Sequence, residues 1–225
     1  QTIAVGQATE TDTAQAISRL AGVAYATGGA AGDTTTFNTS SFDFAAGEVA
    51  YMAVFWWGYG DTEITLSCPS WTKIGDTVLV GTYYAVQVAL LRRVGTFSGF
   101  QTVTFGTTVG AYRYQCVKVT GTISPYERQN KSGNNGTGAK GTSLTVTFDT
   151  TPASNSPILS VLSDWDLTTI TPRSGHTDLY NNNDANIGTC AITFRSTTDT
   201  AVGVTSSGST WLGALGVELA VTPPA

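Results

Sequence analysis

The sequence predicts an all-β protein: a jelly-roll-like β-sandwich carrying an extended or hairpin attachment segment at its N-terminus. Three observations lead there. The 225 residues include 39 Thr and 25 Gly but only 12% charged side chains, a balance that suits strands and tight turns and starves helices of polar solvent faces. Residues 144–148, Leu-Thr-Val-Thr-Phe, alternate with period two, one face apolar and the other all Thr, as a half-buried strand requires. Strand-length segments then recur at the spacing of a sandwich, with turn residues between them.

Taken in order, residues 1–20 read as an attachment segment. Ile3 and Val5 at one side and Ala16 and Ile17 at the other flank a polar centre of Thr9, Glu10, Thr11, Asp12 and Thr13, a pattern for a short hairpin or for a strand added to a neighbour. Such an element is marginal alone in water and needs a partner surface. Residues 21–33 are rich in Ala and Gly and read as a flexible or extended linker. The sandwich occupies 34–225, with strands expected at 47–58, 63–67, 72–81, 82–94, 100–108, 112–121, 141–150, 156–166, 187–197, 200–208 and 211–222. The stretch 49–57 is apolar on both sides, which implies a central strand whose second face is also covered. Residues 129–141, rich in Asn and Gly, read as a long loop.

An internal echo divides the sandwich into 34–128 and 141–225. Residues 84–95, 102–105 and 112–121 are followed about one hundred residues later by 189–195, 201–204 and 211–220. In each set the order is long strand, turn, short strand, turn, long closing strand. Halves of this kind bury their apolar faces together.

Composition excludes several classes of function. A net charge of −5, with eleven basic residues scattered along the chain, argues against a nucleic-acid role built on phosphate neutralisation. Arg92 and Arg93 point to opposite sides of a strand, one toward solvent and one toward an ion pair. The longest apolar run, 49–57, is far short of the ~20 residues of a membrane-spanning helix. Cys68, Cys116 and Cys190 lack the close spacing of a zinc or redox site, and Cys116 and Cys190 read as small core residues. The chain begins at Gln1, so the sequence does not decide whether the N-terminus is processed.

No catalytic set assembles in the sequence. His176 has neither a nucleophile elbow nor a zinc-binding helix motif beside it, and it reads as a loop residue bonded to an oxygen. The pairs Asp61/Glu63 and Asp164/Asp166 have the spacing of same-face carboxylates but read as solvated. Asp164, Asp166, Asp178 and Asp184, with Asn181, Asn182 and Asn183, offer the hard oxygens that calcium takes. Their spacing matches no calcium loop, so the run reads as turns. Aromatic rings are the stronger ground for binding: Trp56, Trp57, Tyr59, Trp71, Tyr83 and Tyr84 fall in one third of the chain. An outward Trp beside Tyr59 and Asp61 could stack on a sugar ring, while the plainer and favoured reading is that these rings fill the sandwich or a subunit interface.

The segment GQATETDTAQAI at 6–17 resembles a short module of tailed-bacteriophage virion proteins. Residues 47–55, 68–75, 83–84 and 114–121 are similar to β-sandwich domains of phage structural and tail-associated proteins. The resemblance implies a non-enzymatic virion surface protein (head decoration, head fibre or tail component) docked through residues 1–20 onto other virion proteins. It implies a homo-oligomer, a trimer by family analogy, without a cofactor, assembled in the host cytoplasm and displayed on the particle. The alternative is a carbohydrate-binding host-adhesion module using Trp56, Trp57, Tyr59 and Asp61. A glycan-cleaving enzyme working through Asp164 and Asp166 ranks last.

Overall fold

A computed structural model describes residues 21–46, 48–60, 62–81, 86–120, 126–135 and 140–220. The attachment residues Ile3, Val5, Ala16 and Ile17 lie outside them, as do Asp61, Tyr83 and Tyr84. The described chain is all-β. Its strands are β1 (Ala21–Asn38), β2 (Phe42–Phe44), β3 (Val49–Gly58), β4 (Leu66–Ser67), β5 (Thr72–Val80), β6 (Val86–Val94), β7 (Phe97–Gly99) and β8 (Thr102–Thr120), then β9 (Tyr126–Asn134), β10 (Gly141–Thr147), β11 (Ile158–Asp164), β12 (Ile170–Pro172), β13 (Thr177–Asp184), β14 (Gly188–Arg195), β15 (Ala201–Thr210) and β16 (Leu212–Ala220).

The pairing repeats. One sheet has the order β1-β8-β3-β6-β5, with β4 also on β8, and another has β13-β14-β11-β16-β9. Read from its β9 edge, the second order is the first with eight added to every strand. The smaller sheets correspond as well: β2 pairs β7, and β10 pairs β15, which also carries β12. All these pairings are antiparallel. In the structure the two equivalent halves span 21–120 and 126–220.

The six-stranded and five-stranded sheets pack face to face, and the alternation along the strands assigns their side chains to two cores. On β3, Val49, Tyr51, Ala53 and Phe55 meet Leu159 and Val161 of β11, Ile192 of β14 and Leu215 of β16 in the central core. The intervening Ala50, Met52, Val54 and Trp56 enter a second core with Phe37, Phe42, Phe44 and Phe105. The outer face of the second sheet, with Ile158, Leu162 and Leu212, packs against Val146, Val202 and Val204 of the β10-β15-β12 sheet. Strand β3 is therefore covered on both faces by its own chain, which accounts for its unbroken apolar run.

Two segments expected to lie outside strands are strands. Residues 21–33 belong to β1, paired along β8 from Ala21↔Thr120 to Asn38↔Thr102, and do not form a free linker. Glycine there serves close approach: a Cβ on Gly29 would lie 2.5 Å from the Tyr112 carbonyl oxygen. Residues 129–134 of the expected loop 129–141 belong to β9, paired with β16. The two expected strands at 100–108 and 112–121 are one continuous strand, β8.

Polar ties cross between the halves. The Arg92 guanidinium pairs with Glu127, whose carboxylate also accepts from Tyr51 Oη at 3.2 Å. Gln115 Nε2 donates to the Cys190 carbonyl at 3.0 Å, and Asn134 Nδ2 to the Leu79 carbonyl at 2.8 Å. Arg93 instead donates to Gln101 at 2.8 Å and lies over the Phe97 ring. All three cysteines are buried free thiols.

Candidate binding cleft between the two halves

Trp57 is the penultimate residue of β3, and Trp165 follows β11. Ala50 pairs with Arg93 in the first half and Ile158 with Arg195 in the second; seven residues further along each chain stand Trp57 and Trp165. The repeat therefore brings two equivalent indoles to the seam of the halves, where both pack on the edge of the central core. Together they line a cleft of about 320 Å³, completed by Val86, Asn186, Ile187 and Gly188.

Each indole has an aromatic neighbour. Trp57 lies 5.3 Å from Tyr59 between ring centroids. Trp165 meets Trp211 edge-on at 6.5 Å, and the Lys140 ammonium sits over Trp211. Tyr59 is exposed, and its hydroxyl donates to Asp33 at 2.6 Å; that bond raises the phenol pKa.

The turn 184–188 forms the other wall and is held firmly. Arg113 of the first half donates from Nε and Nη2 to Asp184 Oδ2 at 3.1 and 2.7 Å. Asn186 N–H donates to Asp184 Oδ1 at 2.9 Å, and Ile187 N–H to the Asp184 carbonyl at 3.1 Å. Burial pushes the Asp184 carboxyl up, but the Asn186 N–H and the Arg113 guanidinium outweigh it and hold the group below its ordinary value. Gly188 has φ +98°, and a Cβ there would lie 2.0 Å from the Asp164 carbonyl oxygen, so this wall requires glycine.

The predicted sites are redistributed by the fold. Trp56 is fully buried against Phe105 and is no surface platform, because both faces of β3 are covered. The four carboxylates considered for calcium take separate partners. Asp164 is buried and accepts from Thr168 and Thr189 N–H groups, each at 3.0 Å. Asp166 pairs with Lys140, Asp178 accepts from Asn181, and Asp184 pairs with Arg113. Among the described residues no group of three His, Cys, Asp or Glu side chains could hold a metal ion. Glu63 pairs with Lys73 at 2.7 Å. Trp165 and residues 185–188 were missed as site residues, and Asp184 was named only among the calcium oxygens. The echo at 84–121 and 189–220 does not reach either indole; the equivalent pairings of β3 and β11 make Trp165 the counterpart of Trp57.

A second polar constellation lies at the other end of the second half. His176 is buried, with Nε2 3.7 Å from Asp199, and Arg173 and Arg195 reach the same carboxylate at 3.1 and 2.8 Å. Ser160 Oγ lies 3.4 Å from His176 Nδ1. The order Ser, His, Asp resembles a hydrolytic relay, but Ser160 is only 1% exposed, so a substrate cannot reach its hydroxyl. The first half carries a counterpart in which the neutral Gln101 takes the place of the carboxylate, its Oε1 accepting from Trp71 Nε1 and Arg93 Nη1. An open groove of about 640 Å³ lies beside Arg173, Arg195 and Asp199.

Comparison with known proteins finds no matching protein family, no matching curated protein and no matching solved structure.

Proposed function

We propose that this chain is a non-enzymatic surface component of a phage virion, a head decoration, head fibre or tail component, held to the particle by residues 1–20. We read each half as a jelly roll. The orders 1-8-3-6 with 2-7, and 9-16-11-14 with 10-15-12, fit two Greek keys folded together, an architecture used by capsid and lectin domains, with β5 and β13 extending the larger sheets at one edge. That step is fold-level analogy.

One observation supports the reading most directly: both ends of the described chain lie at one end of the sheets and the cleft at the other. Residue 21, where the attachment segment joins, pairs with Thr120, and Tyr126 pairs with Ala220; both ends of the described chain therefore leave at one end of the sheets. Trp57 pairs with Ala111, at the other end of β3 from Val49, which pairs with Val119. Eight residue steps at ~3.3 Å put the cleft about 26 Å along the strand from the tethered end. A body held this way presents its cleft away from its support. In this reading its partners are other virion proteins and further copies of itself, a trimer by analogy, with assembly in the host cytoplasm.

Deleting residues 1–20 is expected to abolish incorporation into particles while the remainder keeps its β-sheet circular dichroism and cooperative melt. Particles that retain the truncated protein at wild-type copy number would refute the docking role. A second reading, a carbohydrate-binding module, rests on the paired indoles.

A further inference from the structure

We infer that the cleft between Trp57 and Trp165 is a binding site for a neutral saccharide, assembled from both halves and presented at the free end. The inference rests on the carbohydrate-binding reading of the aromatic patch and replaces its residues. The expected set was Trp56, Trp57, Tyr59 and Asp61; the walls are Trp57 of the first half and Trp165, Asn186 and Ile187 of the second.

Four observations select the ligand class. The cleft is concave, and at about 320 Å³ it lies at the small end of ligand pockets, which run from ~300 to ~1,000 Å³. That suits about one or two sugar rings and excludes a folded partner's helix. Its walls carry two indoles, whose electron-rich faces attract the weakly positive C–H groups on the apolar face of a sugar. Among the described residues no charged side chain lines it, so none of them compensates the desolvation of an anionic or cationic ligand. Asn186 supplies both an amide donor and an acceptor, the two roles a hydroxyl needs.

Preorganisation supports the same conclusion. The turn bearing Asn186 and Ile187 is clamped by Asp184 and by Arg113 from the opposite half. Trp57 and Trp165 are each backed by a further ring. A wall already ordered costs little to order on binding. The groove beside Arg173 and Arg195 has the opposite character, polar and charged, and serves as the internal control.

The test uses the full purified chain and a panel of neutral oligosaccharides built from glucose, galactose, mannose and N-acetylglucosamine, measured by titration calorimetry. At least one is expected to bind saturably, to perturb tryptophan fluorescence and to raise the melting temperature of the unmodified protein. Trp57→Ala and Trp165→Ala are each expected to weaken that binding about 5- to 150-fold, by analogy with the loss of one stacked ring, and Arg173→Ala to leave it unchanged. The wild-type fluorescence and melting shifts do not depend on any variant folding.

Absence of binding by every neutral oligosaccharide would overturn the inference. So would binding that survives both tryptophan substitutions, or binding confined to acidic sugars and lost in Arg173→Ala. Self-association in sedimentation that Trp165→Ala abolishes, without saccharide binding, would instead assign the cleft to a second copy. Particle incorporation is measured separately, so the docking role and the saccharide site can each fail alone.

Discussion

Leu159→Ala tests whether the central core joins the two halves into one cooperative unit. Leu159 is fully buried on β11, pairs with Phe194 and Val217, and faces the first half across the sheet interface. Removing three carbons from this site forfeits about 2.4 kcal/mol of transfer free energy at ~0.8 kcal/mol each. The cavity adds to that, because two sheets pinned by hydrogen-bonded neighbours collapse little, and the total comes to about 3–4 kcal/mol. Urea unfolding followed by tryptophan fluorescence and by far-ultraviolet circular dichroism reads both halves at once. With a slope of about 3 kcal/mol/M, the midpoint falls by about 1 M with the slope unchanged. Leu144→Ala, a half-buried residue beside the outer core, is expected to cost only about 1 kcal/mol and serves as the contrast. A loss below about 1 kcal/mol at Leu159 would refute the packing argument. Two separated transitions, with one half unmoved, would refute the single unit.

Three further outcomes follow from buried or partly buried polar groups. Burial lowers the His176 pKa; nearby Asp199 raises it, but the Arg195 and Arg173 charges add to the lowering. Because the folded pKa lies below the unfolded value of ~6.5, the unfolded chain binds the extra proton, and stability falls as pH drops below about 6.5. His176→Gln is expected to flatten that part of the pH–stability curve; a curve as steep as wild type between pH 6.5 and 5 would contradict it. Asp184 and Asp199 are held below the ordinary carboxylate value, so their stabilisation persists above about pH 4 and is lost as pH falls further. The thiols should be inert in the folded state. Burial pushes Cys68 up to about 12 and raises Cys116 and Cys190, so native protein is expected to resist a thiol-directed reagent and denatured protein to react at three sites. Rapid native labelling of Cys116 would show that the core opens.

The strands with a clear side-chain pattern were legible because their evidence is local. Thr alternation at 144–147 and the apolar run at 49–57 appear in the structure as β10 and β3. The segments 21–33 and 129–141 were not legible, because Ala, Gly and Asn lack strand propensity. Residues 21–33 and 129–134 are strands through hydrogen bonds to β8 and β16, partners remote in sequence. Small residues there allow close approach to Tyr112, Tyr114 and Val146, a need that composition cannot distinguish from flexibility.

Composition and period-two patterning by themselves determined the all-β class, the central place of residues 49–57 and the burial of Cys116 and Cys190, because each depends on a residue and its immediate neighbours. Tertiary structure alone decided the rest. Trp56 and Trp57 are adjacent and chemically alike, yet one is sealed in a core and the other opens onto a cleft, since a strand sends neighbours to opposite faces and only the packed sheets determine what covers each face. Four acidic residues close in sequence were dispersed to four partners, because pleat and turn geometry aim them apart. The cleft exists only where two equivalent strand ends, more than one hundred residues apart in the chain, meet across the central core.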